Sequence, residues 1–580
     1  MASHSDSKPQ KEADILHNID KLVHSRPDSG SDDATIESNA QNGVVAIEAT
    51  TVVWTTSALT FAYVMIWFIY FVEGMLNGTT GALTPYVTSD FALHSLTPTV
   101  GILSSIIGGV TNLTLAKILD VFGRPQGFLC CIFIATIGLI MMAACNTVEA
   151  YAAAQVFYAV GNNGIQYALS VFVADTSSLR NRGLVQAFAF SSNLITCWLG
   201  GPISSSFLAG PGWRWCFGMF SIMVPAFSLP LAGLFFYNYF KAVKQGLVPK
   251  RDSQGTAWRS FIYYCHEFDA VGILLLSGGV ALFLLPFNLY SYQGKGWQSA
   301  LIICMLVFGI LLIISFVVWE KWFAPITFIP YALLLDRTVF GACLLSATVF
   351  ISYFCWASYF SSFLQVVNGL SVANASYVVQ CYTVASVVTS VAVGGLIHYT
   401  GRFKPVCLYF GIPMSAFGLG LMIYFRQPGS HVGYLVMCQI FIAVAAGTII
   451  ICDEIAILAA AKHQHVAVAI AVLGLFGSIG GAIGLTVAAA IWQDVFPAKL
   501  LGYLPTEDLP NLLMIYADLT TQLSYPVGSP TRIAIQRAYG DAQTRMLIAG
   551  TAFWAVGAVG VLMWRNINVI GIKQTKGHVW

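Results

Sequence analysis

Acidic side chains inside long apolar segments are the residues of this sequence best able to do chemistry. Glu73 lies in the first apolar run, and Asp453 and Glu454 lie together in the twelfth. Charged groups at the centre of a bilayer are costly, and burial favours the neutral carboxyl form. We therefore expect these three carboxyl groups to bind and release protons. The alternatives are a helix-end position in water for Glu73 and an ion pair with Lys462 for the other two.

Neutral polar and aromatic side chains in other apolar runs can line a binding cavity. Gln166 follows Asn163 by about one helical turn, so both amides can share a face. Such a cavity suits a ligand that has both hydrogen-bonding and apolar groups. The alternative is ordinary hydrogen bonding and packing between helices. The expected binding residues are Asn163, Gln166, Tyr167, Asn193, Tyr353, Trp356 and Tyr359, joined by Tyr539 (beside Arg532 and Arg537) in a polar loop that either contacts ligand or is simply solvated.

The elements that must position these residues are membrane-spanning helices, each needing about 20 apolar residues. Of the 580 residues, 57% are hydrophobic and only 9% are charged, where a soluble protein has about 25%. The sequence therefore predicts an all-α polytopic membrane protein. Fourteen apolar runs are centred in 57–79, 98–118, 127–146, 150–174, 183–208, 213–238, 270–290, 299–319, 339–364, 374–397, 405–425, 432–458, 466–492 and 546–564.

Basic residues predict the orientation, because Lys and Arg concentrate in short cytoplasmic loops. The short loops on the expected outer side carry only Arg214, Lys295 and Arg426. This contrast places both termini in the cytoplasm. The expected inner loops carry fourteen basic residues: Lys117, Arg124, Arg180, Arg182, Lys241, Lys244, Lys250, Arg251, Arg259, Lys321, Arg337, Arg402, Lys404 and Lys462.

Two similar loops suggest a duplicated architecture, as in secondary transporters whose site lies between repeats. They end in Gly123-Arg124 and Gly401-Arg402, after the second and tenth runs. Six helices then form each half, and two are inserted between the halves (6 + 2 + 6). The expected parts are a disordered cytoplasmic tail 1–50, a first bundle 51–240, a basic loop with two helices 241–338, a second bundle 339–565 with a long outer loop 493–545, and a cytoplasmic tail 566–580.

Asp120, Gly123 and Arg124 resemble the G-x-x-x-D-R-x-G-R loop of the major facilitator superfamily, although Ala116 and Val121 depart from it. The second loop keeps Gly394, Gly401 and Arg402 but has His398 in place of the Asp. Asp269-Ala-Val-Gly272 before the seventh run is similar to the larger members. Within the superfamily, the chain resembles fungal siderophore–iron transporters in Tyr63–Glu73, Lys117–Gly127, His463–Gly484 and Ala538-Tyr539-Gly540.

That resemblance implies a fourteen-helix major facilitator fold and proton-driven import of ferric hydroxamate siderophores by a carrier, not an enzyme. It also implies that Asp120, Arg124, Asp175 and Arg402 act in gating at the cytoplasmic face. The expected partners are the siderophore, protons and lipid, with no nucleic acid and no cofactor. We expect a monomer in the plasma membrane.

The nearest alternative is a drug–proton antiporter that exports small organic molecules. Such exporters usually carry Gly-Pro-x-x-Gly-Gly in the fifth span, where this chain has Gly201-Pro202-Ile-Ser204-Ser205. A receptor or membrane enzyme would need a catalytic constellation that the sequence lacks. His463 and His465 are not expected to bind metal, because siderophore iron brings its own ligands.

Overall fold

The computed structural model describes residues 54–90, 97–177, 179–245, 269–290, 293–324, 331–460 and 466–570. Throughout these ranges the regular structure is helical, apart from one isolated bridge between Arg402 and Asn568. The expected tail 1–50, Lys462, His463 and His465 lie outside the described residues.

In the described residues, seven main helices form the first half of the bundle. Gly123 makes the sharp turn between the second and third with φ 101°, a conformation open to glycine, and Pro125 follows in the first turn of the third helix. The fifth expected span is broken into pieces around Asn193–Thr196. The helices are α1 Thr56–Asp90, α2 Thr97–Phe122, α3 Arg124–Ala144, α4 Val148–Thr176, α5 Leu179–Phe190, α6 Gly200–Ala209 and α7 Trp213–Lys244.

Two helices, α8 (Ala270–Leu284) and α9 (Ala300–Val318), follow as a hairpin. Asp269 caps α8: its side chain accepts hydrogen bonds from the Gly272 amide at 3.1 Å and from Trp319 Nε1 at 2.8 Å. The second bond ties the start of α8 to the end of α9. The hairpin packs through α8 against α2, and α9 stays largely exposed, as expected for a lipid-facing helix. Shorter pieces here are Pro286–Leu289, Gly296–Gln298 and Trp319–Phe323.

The described part of the second half contains eight main helices. They are α10 Arg337–Ala357, α11 Phe360–Val366, α12 Val372–Thr400, α13 Ile412–Phe425, α14 Val432–Ala460, α15 Val466–Tyr503, α16 Pro530–Ala552 and α17 Trp554–Met563. Short helical turns lie at Tyr331–Leu334, Lys404–Val406, Cys407–Gly411, Leu509–Asn511, Leu512–Ala517 and Leu519–Ser524.

Among the described residues, eleven helical segments are long and apolar enough to cross a membrane. The remaining expected spans coincide with α2, α4 and the broken α5–α6, so the structure is compatible with fourteen. Successive spans run in alternate directions, which brings the two similar loops, after the second and tenth spans, to the same end. We call this the motif end (Gly123 and Gly401) and the opposite one the far end (Asp90 and Trp213).

Two boundaries at the far end differ from the prediction. Helix α1 continues to Asp90, well beyond residue 79. The loop expected over 493–545 is much shorter, because α15 extends to Tyr503 and α16 begins at Pro530. Only 504–529 connects them, and it contains three short helical turns.

The two halves meet from the middle of the bundle to the far end. Helix α2 packs on α15, and α5 and α6 pack on α12. The first contact is so close that a Cβ added at Gly109 would lie 2.2 Å from Ser478 Cβ. At the second, a Cβ added at Gly201 would lie 2.9 Å from Ser376 Cβ. Glycine is therefore required for the halves to approach to this distance.

Candidate functional site

A cavity of about 370 Å³ lies between the halves. One wall comes from α2 and α4 and is mostly polar, and the other comes from α10 and α15 and is mostly apolar. The polar wall contains Ser104, Ser105, Asn112, Asn163, Gln166, Tyr167 and Ser170, and the opposite wall contains Phe350, Phe354, Ile470 and the glycines 474, 477 and 481. Such a cavity can hold a ligand that has both carbonyl groups and apolar parts.

Three expected binding residues lie in this cavity. Asn163, Gln166 and Tyr167 all line it from α4, because positions three and four apart share a helix face. Gly108 on α2 makes room for the first of them, since a Cβ there would lie 2.7 Å from Asn163 Nδ2. The amide face expected from the sequence therefore points between the halves.

The expected aromatic residues of the ninth span, on α10 and at the break that follows it, are not among the residues that line the cavity. The ring of Tyr353 is 5.4 Å from those of Trp356 and Tyr382, measured between centroids, and these rings form one cluster. Tyr359 is 1% exposed and stacks on Trp492 at 4.2 Å. On this helix the structure puts Phe350 and Phe354 in the cavity, one helical turn apart on the face the sequence reasoning did not choose.

Asn193 and Tyr539 lie away from the cavity lining. Asn193 packs against α1, where a Cβ added at Gly74 would lie 2.4 Å from its Oδ1. Tyr539 has no exposed surface, and its hydroxyl donates to Gln522 Oε1 at 2.7 Å. The expectation that Tyr539 stands in a solvent-facing loop is wrong, because α16 carries it into the second half.

Glu73 lies at the midpoint of α1, about 25 Å from either end at 1.5 Å per residue. It is 3% exposed, so the alternative of a helix-end residue in water is wrong. Neither carboxyl oxygen makes a hydrogen bond of normal geometry. The Gln166 amide faces the carboxyl group from α4, and the rings of Tyr70 and Tyr158 lie close enough to interact electrostatically. Gln166 thus touches both the cavity and the neighbourhood of Glu73.

Asp453 and Glu454 point in different directions from α14. Asp453 is 5% exposed and lies among Cys343 and Cys407 inside the second half, with Oδ1 lacking a hydrogen bond. Glu454 is half-buried and interacts across the bundle with Tyr70 of α1. Of the pair, Glu454 is the carboxyl group that faces the first half.

The expected gating residues divide into three cases. Arg124 Nη2 lies 3.5 Å from Asp175 Oδ2, so this ion pair joins α3 to α4 within one half. Such a pair cannot by itself hold the two halves together. The side chain of Asp120 lies outside the described residues. Arg402 is exposed, and its backbone pairs with Asn568 near the end of the described chain.

Comparison with known proteins establishes the family. The Major Facilitator Superfamily pattern matches residues 66–347. MFS siderochrome iron transporter 1 of Ajellomyces capsulatus is 55% identical over 544 residues, which are 94% of this chain and 92% of the relative. The chain belongs to the siderochrome iron transporter family of this superfamily. It is therefore a multi-pass membrane protein of a family of transporters, not enzymes.

Other family members match over nearly the same length. MFS siderochrome iron transporter B of Aspergillus fumigatus is 45% identical, over 95% of this chain and 89% of the relative. Siderophore iron transporter mirB of Emericella nidulans is 43% identical, over 95% and 92%. The resemblance drawn from the sequence motifs is confirmed.

Solved structures confirm the fold alone. An auto-inhibited peptide transporter of the POT family aligns with TM-score 0.53 at 13% identity, covering 88% of this chain and 99% of its own. A bacterial homologue of the lysosomal transporter Spinster, inward-facing and unoccupied, aligns with TM-score 0.52 at 12% identity, covering 88% and 98%.

Sequence reasoning missed several residues of the site. Ser104, Asn112 and Ser170 line the cavity, but isolated serines and asparagines are common in spanning helices and give no distinctive signal. Arg426 and Arg532 are almost fully buried. An arginine beside an apolar run signals a helix end, so only the structure reveals that these two face inward.

Proposed function

We propose that the protein imports ferric hydroxamate siderophores together with protons by alternating access. The observation that carries this proposal is the position of Gln166, which lines the cavity and also faces the buried carboxyl group of Glu73. A ligand that hydrogen-bonds to this amide changes the environment of Glu73 and therefore the affinity of Glu73 for a proton. The names of the relatives supply the siderophore as substrate class.

The distribution of basic residues favours a cytoplasmic motif end, with both termini on that side. In this orientation the far end faces outward, and the contacts of Gly109 and Gly201 close it. The cavity volume, about 370 Å³, is at the lower end of the range for small-molecule sites. A bulky ferric siderophore therefore requires the halves to move further apart, as alternating access provides. We place the carrier in the plasma membrane as a monomer.

Radioiron uptake tests the proposal in yeast lacking its own siderophore carriers. The cells receive ferrichrome-type, coprogen-type or fusarinine-type iron complexes, with and without a protonophore. We expect accumulation of at least one complex and its collapse when the protonophore is added. Accumulation that is unchanged by the protonophore would exclude proton coupling but would still support ferric siderophores as the substrate class.

Export of small organic molecules in exchange for protons is the competing function. Ser205 and Ser206 stand where exporters usually carry glycines, and the relatives are named as iron transporters, so both observations favour import. Surface-expressed protein that gives no iron uptake, but lowers cellular dye or drug content, would replace our proposal with export.

A further inference from the structure

The helix α11 is a short separate piece at the far end of the first helix of the second half. The spanning segment breaks at Ser358–Tyr359, after α10, and resumes for the seven residues Phe360–Val366. Six of these seven are buried, although they lie at an end of the molecule. Breaks of this kind leave backbone carbonyl groups without helical partners, and the surrounding structure must satisfy them.

Arg426 donates a hydrogen bond to a backbone carbonyl group at the break before α11. This side chain has no exposed surface, and its Nη1 donates to the carbonyl oxygen of Trp356 at 2.8 Å. The guanidinium carbon lies 4.2 Å from the ring centroid of Phe360 and 5.2 Å from that of Phe363. Because Arg426 follows α13, these contacts attach the start of α11 to the second half.

Two residues of α16 donate hydrogen bonds to the backbone carbonyl groups at the other end of α11. Arg532 Nε donates to the Val366 carbonyl at 3.0 Å, and its Nη2 donates to the Gln365 carbonyl at 3.4 Å. Gln536 Nε2 donates to the same Val366 carbonyl at 3.3 Å. Capping of the last carbonyl groups by a cation is favourable at a helix C-terminus. Both ends of α11 are thus fixed to the second half.

The 504–529 segment is bonded to α16 through Gln522. Its backbone carbonyl accepts from Arg532 Nη1, its side-chain oxygen accepts from Tyr539, and its amide donates to the Ile515 carbonyl at 2.7 Å. The turn Leu519–Ser524 packs on α11 and on α1. We call Leu512–Ser524 the strap.

One side-chain hydrogen bond joins this assembly directly to the first half. The Tyr86 hydroxyl of α1 donates to Gln365 Oε1 at 2.7 Å. Gln365 is 2% exposed, and its backbone carbonyl is the one that Arg532 holds. The bond therefore links the two halves at the far end, on a residue fixed firmly within its own half.

We propose that Tyr86 and Gln365 form a latch that keeps the far end closed, with Arg426 and Arg532 as positioning residues that hold Gln365 in place. Because α11 and the strap are bonded to the second half, they move with it when the halves separate. The latch is then a contact that opening must break. This inference rests on the proposed alternating access, but its test requires neither substrate nor proton gradient.

The test measures the reaction of a cysteine at Ser104 with a membrane-impermeant maleimide added outside intact cells. Ser104 lies in the cavity wall, below the closed far end. Tyr86→Phe removes only the hydroxyl group, and a neutral hydrogen bond supports a change of about 2- to 10-fold in an equilibrium. We expect labelling of S104C to become faster by that factor. The same variants without S104C give the background from native cysteines.

Tyr151→Phe is the matched control. Its hydroxyl accepts from Gln155 Nε2 at 3.0 Å within the first half, so losing that bond should not change labelling of S104C. Gln365→Met should accelerate labelling as Tyr86→Phe does, and the double variant should add nothing to either. Equal rates for Tyr86→Phe, Tyr151→Phe and the parent would overturn the latch. Because labelling does not depend on transport, that result would leave siderophore import untouched, whereas absent radioiron uptake would count against import alone.

Discussion

At the scale of single residues, the central relation is between Glu73 and Gln166. Glu73 is buried at the midpoint of α1 without a normal hydrogen bond, and the amide that faces it belongs to the cavity wall. A buried carboxylate without partners is unfavourable, so its charge state depends on what this amide does. In the proposed proton coupling, ligand and proton influence each other through this one side chain.

We expect Glu73→Gln to reduce proton-dependent siderophore accumulation about 5- to 150-fold, the usual range of a coupling between two sites. Glutamine has nearly the same shape and cannot carry the charge, so the protein should still fold and reach the membrane. Uptake measured from pH 5 to 8 should lose its pH dependence. Asp90→Asn is the control, because it neutralises an exposed acid on the same helix. Unchanged uptake and pH dependence in Glu73→Gln would exclude this residue from coupling.

At the scale of elements, the packing of α2 on α15 sets how closely the halves approach. The place of contact is Gly109 against Ser478, where an added Cβ would lie 2.2 Å from a Cβ and 3.6 Å from a Cα. A backbone so close to its neighbour leaves no room for a methyl group.

Gly109→Ala should therefore prevent full closure of the far end and lower uptake by about tenfold. Destabilising the closed state by about 1.4 kcal/mol shifts the equilibrium between closed and open states tenfold. Gly109→Ala with Ser478→Gly removes the clash and should restore uptake. Gly81→Ala on α1 meets nothing within 4 Å and serves as control. Failure of the second substitution to restore uptake would show that the defect has another origin.

The strap contains a helix turn whose stability depends on pH. Asp518 caps Leu519–Ser524, accepting from the Thr520 amide at 3.0 Å and the Thr521 amide at 2.9 Å. Burial alone would raise the pKa of Asp518, but the bonds from Thr520 and Thr521 outweigh it and hold the pKa below its usual value. Stability from a lowered carboxyl pKa is present above the unfolded-state value of about 3.9 and is lost as pH falls through the folded-state value.

The hydrogen-exchange protection of the strap should therefore be constant between about pH 5 and 7 and fall only below about pH 4. Asp518→Ala should lower this protection at neutral pH by about 1 kcal/mol, the usual contribution of an N-cap. Thr520→Val keeps the backbone amide and removes one side-chain donor, so it should have a smaller effect. Loss of protection near pH 6 in the parent protein would contradict the assigned cap.

The sequence predicts the spanning helices well, because a continuous run of about 20 apolar residues is characteristic of a membrane-spanning helix. It predicts the far end poorly, for a physical reason visible in α16. Arg532, Gln536 and Tyr539 have the polarity of a solvated loop. Only the chain fold brings the carbonyl groups of α11 against the first two and Gln522 against the third. The sequence identifies Glu73 as a carboxyl group inside an apolar run. Its position at the middle of α1 could not be predicted, because the more polar residues up to Asp90 stay helical only through packing.

At the scale of the whole molecule, the two halves touch from the middle of the bundle to the far end, and the proposed alternating access requires those contacts to break in every cycle. Gly101 of α2 and Leu485 of α15 face each other there: a Cβ added at Gly101 would lie 3.1 Å from Leu485 Cδ1. Cysteines at these two positions should be joined by a short, reducible thiol cross-linker while the far end is closed.

We expect the cross-link to abolish siderophore uptake and its reduction to restore it in the same cells. Each single-cysteine variant, treated identically, should keep its uptake, as should the parent with its native cysteines. A ligand that favours an open far end should slow cross-linking, because it withdraws molecules from the closed state in proportion to its differential affinity. Cross-linked protein that still accumulates iron would mean that the far end need not open, and alternating access between these halves would be wrong.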